Sequence, residues 1–154
     1  VFERLKMGDD LGDAAIRNSL ETNVMGFLQG ATWPVRLIAR GQINTFLYCE
    51  ILLVETALVP LMLLERDRRA FHRNMFTRAK LLDSAQAAEC SRLVDRMVEA
   101  VRTGDRIAMR DGHIEIHRRM CDLARAAFAR FGLEFPPRVE RAMVKFYQAE
   151  WPMA

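Results

Sequence analysis

Residues 106–131 read RIAMRDGHIEIHRRMCDLARAAFARF, and this run decides the fold class. Wound at about 100° per residue, it puts Met109, Ile116, Met120, Cys121, Ala124, Ala127, Phe128 and Phe131 in one broad sector. Asp111, Glu115, Arg118, Arg119, Asp122 and Arg125 take the other side. No alternation of period two fits the same residues, so the run is an amphipathic helix. Asp105 before it can accept a hydrogen bond from the first turn, and Gly132 after it supplies a stop. His113 and His117 fall in the middle of the apolar sector, one turn apart.

The same punctuation recurs on both sides. Asp9, Asp10 and Asp13 precede Ile16, Leu20, Val24, Phe27 and Leu28 at helical spacing, which predicts a helix from Asp10 to Gln29 stopped by Gly30. Thr32, Trp33 and Pro34 form a start signal, with the Thr32 hydroxyl able to cap and the proline tolerated in the first turn. A short helix to Arg40 is expected, ended or bent by Gly41. Gln42 to Leu64 is apolar nearly all round, with Phe46, Leu47, Ile51, Leu52 and Leu58 among its residues and Pro60 as a kink. Glu50 and Glu55 interrupt every window of membrane-spanning length, so it reads as a central buried helix whose carboxylates need partners or an exit. From Leu61 to Leu82 a stripe of Leu64, Phe71, Met75, Ala79 and Leu82 runs opposite Arg66, Arg69 and Arg73. Asp83 and Ser84 restart the pattern, with Cys90, Val94, Met97 and Val101 on one face before Gly104. Pro136 and Pro137 open a last helix carrying Val139, Met143, Phe146 and Tyr147. The expectation is an all-α chain, one domain over 1–154, built as an antiparallel bundle of six or seven helices.

Composition agrees. The chain has 154 residues, 51% of them hydrophobic and 28% charged, which excludes a disordered tail. It can bury roughly two thirds of its unfolded surface. A net charge of +3 rests almost wholly on arginine, since Lys6, Lys80 and Lys145 are the only lysines. Ion pairs between helices explain that balance as readily as a phosphate-binding face. Cys49, Cys90 and Cys121 are odd in number and lack close spacing, so no disulfide framework or zinc knuckle is implied and a reducing cytoplasm fits. The opening Val1-Phe2-Glu3-Arg4 is not a signal peptide and reads as a piece of a longer protein.

Two inward imidazoles at i and i+4 can offer two ligands to one metal ion. A single buried histidine ordinarily needs only hydrogen-bond partners, whereas an adjacent pair needs two separate sets. Further ligands would come from His72, Cys90, Glu50 or Glu55, and the sequence does not choose among them. Glu115, inside His-Ile-Glu-Ile-His, points outward and is not counted. No glycine-rich phosphate loop, nucleophile elbow, paired-cysteine motif or Glu-x-x-His is present, so the chain is read as no enzyme. The nine methionines are core fillers that would also suit a cavity for a flexible apolar ligand.

Several segments resemble the C-terminal effector-binding (FCD, FadR-type) domain of GntR-family bacterial transcription regulators. Glu89-Cys90-Ser91-Arg92-Leu93-Val94, then Ala100-Val101-Arg102-Thr103-Gly104-Asp105, then Met109-Arg110-Asp111-Gly112-His113-Ile114 look like that family's closing helix pair. Arg17-Asn18-Ser19-Leu20-Glu21 is similar to its Arg-x-x-Leu-Glu helix, and Ala31-Thr32 to the Ala-Thr that often follows. The family's Asp-x-x-Phe-His helix matches either Asp67, Phe71 and His72, with one residue too many, or a helix before Ala39-Arg40-Gly41-Gln42, which lacks the metal-binding Asp and His. Cys90 stands where the family has its second histidine. The resemblance covers about half the chain. It implies a cytoplasmic homodimer that senses a small carboxylate or acyl effector, with DNA contacted only by a winged helix-turn-helix outside this chain and no membrane contact. On the spacing of the inward pair, the metal expectation is at most one divalent ion, Zn or Ni, with His113 and His117 as ligands. The alternatives are a small metal-binding bundle or metalloenzyme using His113, His117 and a glutamate, and a structural helical dimer.

Overall fold

The computed structural model describes residues 14, 17, 18, 20–22, 31–51 and 85–152. Among these residues the protein is all-helical, with six helices and no strand. Residues 14, 17, 18 and 20–22 belong to α1, and 43–51 to α3. Between them α2 spans Thr32–Ala39. The longer elements are α4 (Ala85–Thr103), α5 (Arg106–Arg130) and α6 (Pro137–Gln148). The expected stripe from Leu61 to Leu82, the kink at Pro60, the stop at Gly30 and the restart at Asp83 and Ser84 lie outside the described residues, as does most of the expected Asp10–Gln29 helix.

α5 is the axis of the described structure. Its buried face holds Met109, Ile116, Met120, Cys121, Ala124, Ala127 and Phe128 with both histidines, as its periodicity predicts. Leu123 is buried as well, and Phe131 is only half-buried, so the apolar sector is wider and ends earlier than expected. The Asp105 carboxylate accepts a hydrogen bond from the Ala108 amide at 2.9 Å and caps the helix as expected.

α4 and α5 pack directly on one another, and a two-residue turn joins them. Gly104 adopts φ +73°, which lets its amide reach the Val101 carbonyl and the Asp105 amide reach that of Ala100. These two bonds satisfy carbonyls that the helix end would leave open, in a conformation that disfavours any Cβ. Gly41 closes α2 in the same way, with bonds from Gly41 to Ile38 and from Gln42 to Leu37. Polar contacts line the outer edge of the α4–α5 seam: Glu89 pairs with Arg119 at 3.0 Å, and Arg96 with Glu115 at 2.9 Å. Beneath them the Met97 methyl lies against Gly112, whose missing side chain admits it.

Two expectations need correction. Thr32 does not cap α2: Ala31 holds the cap position, in helical conformation (φ −58°, ψ −40°), without a side-chain bond. Hydroxyl capping requires an extended residue there, and the chain enters α2 already helical. The segment from residue 42 is not buried all round in its described part. Phe46 and Glu50 of α3 are buried, whereas Tyr48 and Ile51 are exposed.

One continuous core joins Leu20 of α1, Leu37 and Ile38 of α2, Phe46 of α3, Leu93 of α4 and Met143 of α6 around α5. A smaller cluster of Ala31, Val35 and Phe146 closes over the histidines, with Trp151 packed against it. The Arg110 guanidinium donates to the Trp151 carbonyl at 3.0 Å, which ties the segment after α6 back onto α5.

Candidate functional site

The histidine face of α5 meets three elements, and each imidazole receives a different environment. His113 is 2% exposed. Its Nε2 lies 2.8 Å from the carbonyl oxygen of Ala31, and its Nδ1 lies 2.6 Å from Oε2 of Glu50 on α3. A carbonyl oxygen can only accept, so Nε2 carries a hydrogen. Burial alone would pull the His113 pKa down, but the Glu50 carboxylate and the two hydrogen bonds outweigh it and the net shift is upward. Nδ1 therefore also donates, and the pair is an imidazolium on a carboxylate. Glu50, the carboxylate for which an apolar helix had to find a partner, has found it. Its other oxygen, Oε1, is buried and has no hydrogen-bond partner among the described residues.

His117, one turn on, faces aromatic rings. Phe146 lies 5.0 Å and Tyr147 5.6 Å from its ring centre. The Tyr147 hydroxyl lies within hydrogen-bond distance of Nδ1, at 2.9 Å, and Cys121 Sγ lies 3.8 Å from the same nitrogen. The Arg118 guanidinium, 5.0 Å above the Tyr147 ring, holds the phenol in place. Burial first, and the positive His113 ring second, push the His117 pKa well below its ordinary value. His117 is thus a neutral imidazole 6.2 Å from a charged one. Tyr147 is pushed up, mainly by burial and then by Cys121.

The other residues singled out by the sequence are placed as follows. Cys90, on the inner face of α4, is buried in the core, where burial pushes its thiol up to about 11. Cys121 is pushed up to about 12 for the same reason. Glu115 points away from the site and is held by Arg96, as expected. His72 and Glu55 lie outside the described residues. The structure thus brings His113, His117 and Glu50 together and leaves Cys90 elsewhere. Among the described residues no group of three His, Cys, Asp or Glu side chains is arranged to hold a metal ion. Both His113 nitrogens are engaged by oxygen, Nε2 by the Ala31 carbonyl and Nδ1 by Glu50.

Behind Glu50 a cavity of about 120 Å³ opens between α3, α4 and α5. Leu47 of α3, Val94 and Met97 of α4 and Ile116 of α5 form its walls, with Glu50 beside them. Ile51 and Val98 stand at its rim and are more than half exposed. Sequence reasoning marked Met97 and Val94 as face residues but could not place a cavity there. Nor did it single out Tyr147 or Cys121 as partners of His117, although Tyr147 stood on the inward face of its helix. The Ala31 carbonyl has no signature in sequence.

No protein-family model, no curated protein and no solved structure matches the chain.

Proposed function

We propose that this chain is a helical effector-binding and dimerisation domain of the GntR regulator type, which takes a small apolar or acyl ligand between α3, α4 and α5. The observation that carries the reading is the apolar cavity set against the Glu50–His113 pair. A volume of about 120 Å³ is of the order of the ~150 Å³ apolar cavity that takes up benzene. Of the two effector chemistries, the acyl one is favoured, because the cavity wall of Leu47, Val94, Met97 and Ile116 is apolar. The cavity touches α3, and α3 holds α5 and Ala31 through the ion pair, so a ligand there acts on the helices it separates. Differential affinity for two arrangements of a homodimer would pass that signal to a winged helix-turn-helix outside this chain. The order of the pairs along the α4–α5 seam supports an antiparallel bundle, since Glu89 meets Arg119 and the later Arg96 meets the earlier Glu115. Among the described residues no helix is long and apolar enough to cross a membrane. Free Cys49, Cys90 and Cys121 support a cytoplasmic setting. No catalytic role is assigned to His113 or His117.

The test is native and denaturing mass spectrometry with elemental analysis on one purified sample. An apolar or acyl molecule retained in the native spectrum, released on denaturation and depleted in a cavity-filling Val94→Phe variant is the expected result. Stoichiometric transition metal that is lost in His113→Ala overturns this reading in favour of a metal-binding bundle. The coding sequence upstream of Val1 is the second check. A winged helix-turn-helix there is expected, and its absence overturns the regulator part while leaving the ligand site.

A further inference from the structure

The cavity selects by what its walls lack. Among the described residues it exposes no polar surface: Leu47, Val94, Met97 and Ile116 are apolar, and Glu50 contributes only the hydrocarbon part of its side chain, its Oε2 being held by His113 and its Oε1 buried. A polar head group drawn inside would lose its water and find no partner in exchange. Water suits these walls no better, because a buried water needs several polar partners. Carbon, by contrast, gains with every methylene removed from water. The mouth continues the pattern. Ile51 and Val98 stand at the rim and are more than half exposed, so apolar surface runs from the cavity out to solvent. A chain entering methyl-first keeps carbon against carbon on its way in, while its head group stays in water beyond the rim. Volume sets the depth. At ~30 Å³ per methylene, the share of a water in the liquid, a cavity of about 120 Å³ holds about four carbons.

We infer that the cavity between α3, α4 and α5 is a chain-end site, which binds the methyl end of a straight alkyl or acyl chain to a depth of about four carbons and is blind to the head group. The inference rests on the effector-binding reading above and specifies which part of an acyl ligand the site holds. Selectivity then lies in chain length. Each carbon up to that depth strengthens binding about fourfold, the value of one buried methylene, and further carbons add little.

Short alkyl probes test it, read by the methyl resonance of Met97 in protein carrying ¹³C-methyl methionine and assigned by its loss in Met97→Leu. Expected from 1-propanol to 1-hexanol is saturable movement whose affinity rises about fourfold per carbon up to about four carbons and then levels. 1-Butanol, butylammonium and pentanoate share a butyl tail, and with their head groups in screening solvent they should bind within about threefold of one another. Val94→Phe fills the cavity and should abolish every response. Val94→Ala adds room for about two carbons and should move the levelling point outward by as many. A preference of about tenfold or more for one of the three head groups overturns the chain-end assignment in favour of a polar site and leaves an effector cavity standing. Tighter binding by benzene than by 1-hexanol overturns it in favour of a compact hydrocarbon, again with the effector cavity intact. A slope undiminished through 1-hexanol, or a levelling point that Val94→Ala leaves in place, overturns the closed depth on which the assignment stands. No saturable response of Met97 to any probe overturns both this inference and the ligand-binding reading beneath it.

Discussion

The two histidines of α5 share a helix, a face and near-complete burial, yet they are held by opposite means. His113 is charged and cross-linked: one nitrogen on the backbone of Ala31, the other on the carboxylate of Glu50, with distances of 2.8 and 2.6 Å. His117 is neutral and packed: rings of Phe146 and Tyr147 on its faces and a phenol on Nδ1. Position in a hydrophobic pattern therefore says that a side chain is inside and nothing about its charge. Charge is decided by what the neighbouring helices present, an acid from α3 in one case and aromatic residues from α6 in the other. The first arrangement ties elements together at the cost of burying ions; the second fills space.

The comparison is tested most severely by removing the acid. Glu50→Ala leaves an imidazolium without its counter-charge, and chemical denaturation should show a loss of about 3–5 kcal/mol. Replacing both partners, as Glu50→Leu with His113→Leu, should recover much of that loss, because two desolvated ions vanish together. If the single and double variants are equally unstable, packing rather than charge holds His113, and the contrast with His117 fails.

A smaller effect separates the two rings by the sign of their pH dependence. His113 has its folded pKa above the unfolded value, so its contribution is complete below about pH 6.5 and is lost as pH rises through the raised folded pKa. His117 has its folded pKa below the unfolded one. Its contribution is complete above about pH 6.5 and is lost as pH falls toward the depressed value, because the unfolded chain takes the proton first. Unfolding free energy measured against pH should fall on both sides, each histidine contributing at most about 1.4 kcal/mol per pH unit to its own limb. His117→Phe should flatten the acidic limb alone, and a variant that flattened the alkaline limb instead would reverse the assignment of charge.

What could be read before the structure follows the same division. The extent of α5, its Asp105 cap and the glycine stops rest on local rules, and they were legible because a helix satisfies its own backbone within a few residues. His113 and His117 were legible as a buried pair, and Glu50 as an acid in need of a partner. Their pairing was not, because 63 residues separate Glu50 from His113 and no local rule spans them. The Ala31 carbonyl was illegible in principle, since every residue carries one. Thr32 misled because cap chemistry depends on the backbone angle of the residue before the helix, which a hydroxyl does not set by itself.

Tyr147→Phe probes the neutral ring. It removes the hydroxyl while keeping the aromatic contact with His117 and the Arg118 stacking, so the expected loss is about 1 kcal/mol, the net value of one hydrogen bond. A loss as large as that of Glu50→Ala would mean that the phenol, and not the packing, secures His117. The two sites would then be alike.

The smallest effect is expected at Glu115, and its smallness is informative. His113-Ile114-Glu115-Ile116-His117 places an acid between two histidines, a spacing that would suit a metal centre with an acid beside it. At 100° per residue, however, position 115 lies about 200° from 113 and from 117, on the far side of the helix. There its carboxylate meets Arg96 at 2.9 Å and Arg92 at 3.7 Å, with about two fifths of its side chain exposed. Exposed pairs of this kind contribute from nothing to about 1 kcal/mol and are screened by salt. Glu115→Ala should therefore cost less than about 1 kcal/mol, with the difference from the parent shrinking as salt is added, and should leave both limbs of the pH profile unchanged. A change in either limb would place Glu115 in electrostatic contact with the imidazoles through the helix, joining the two faces that the geometry of α5 keeps apart.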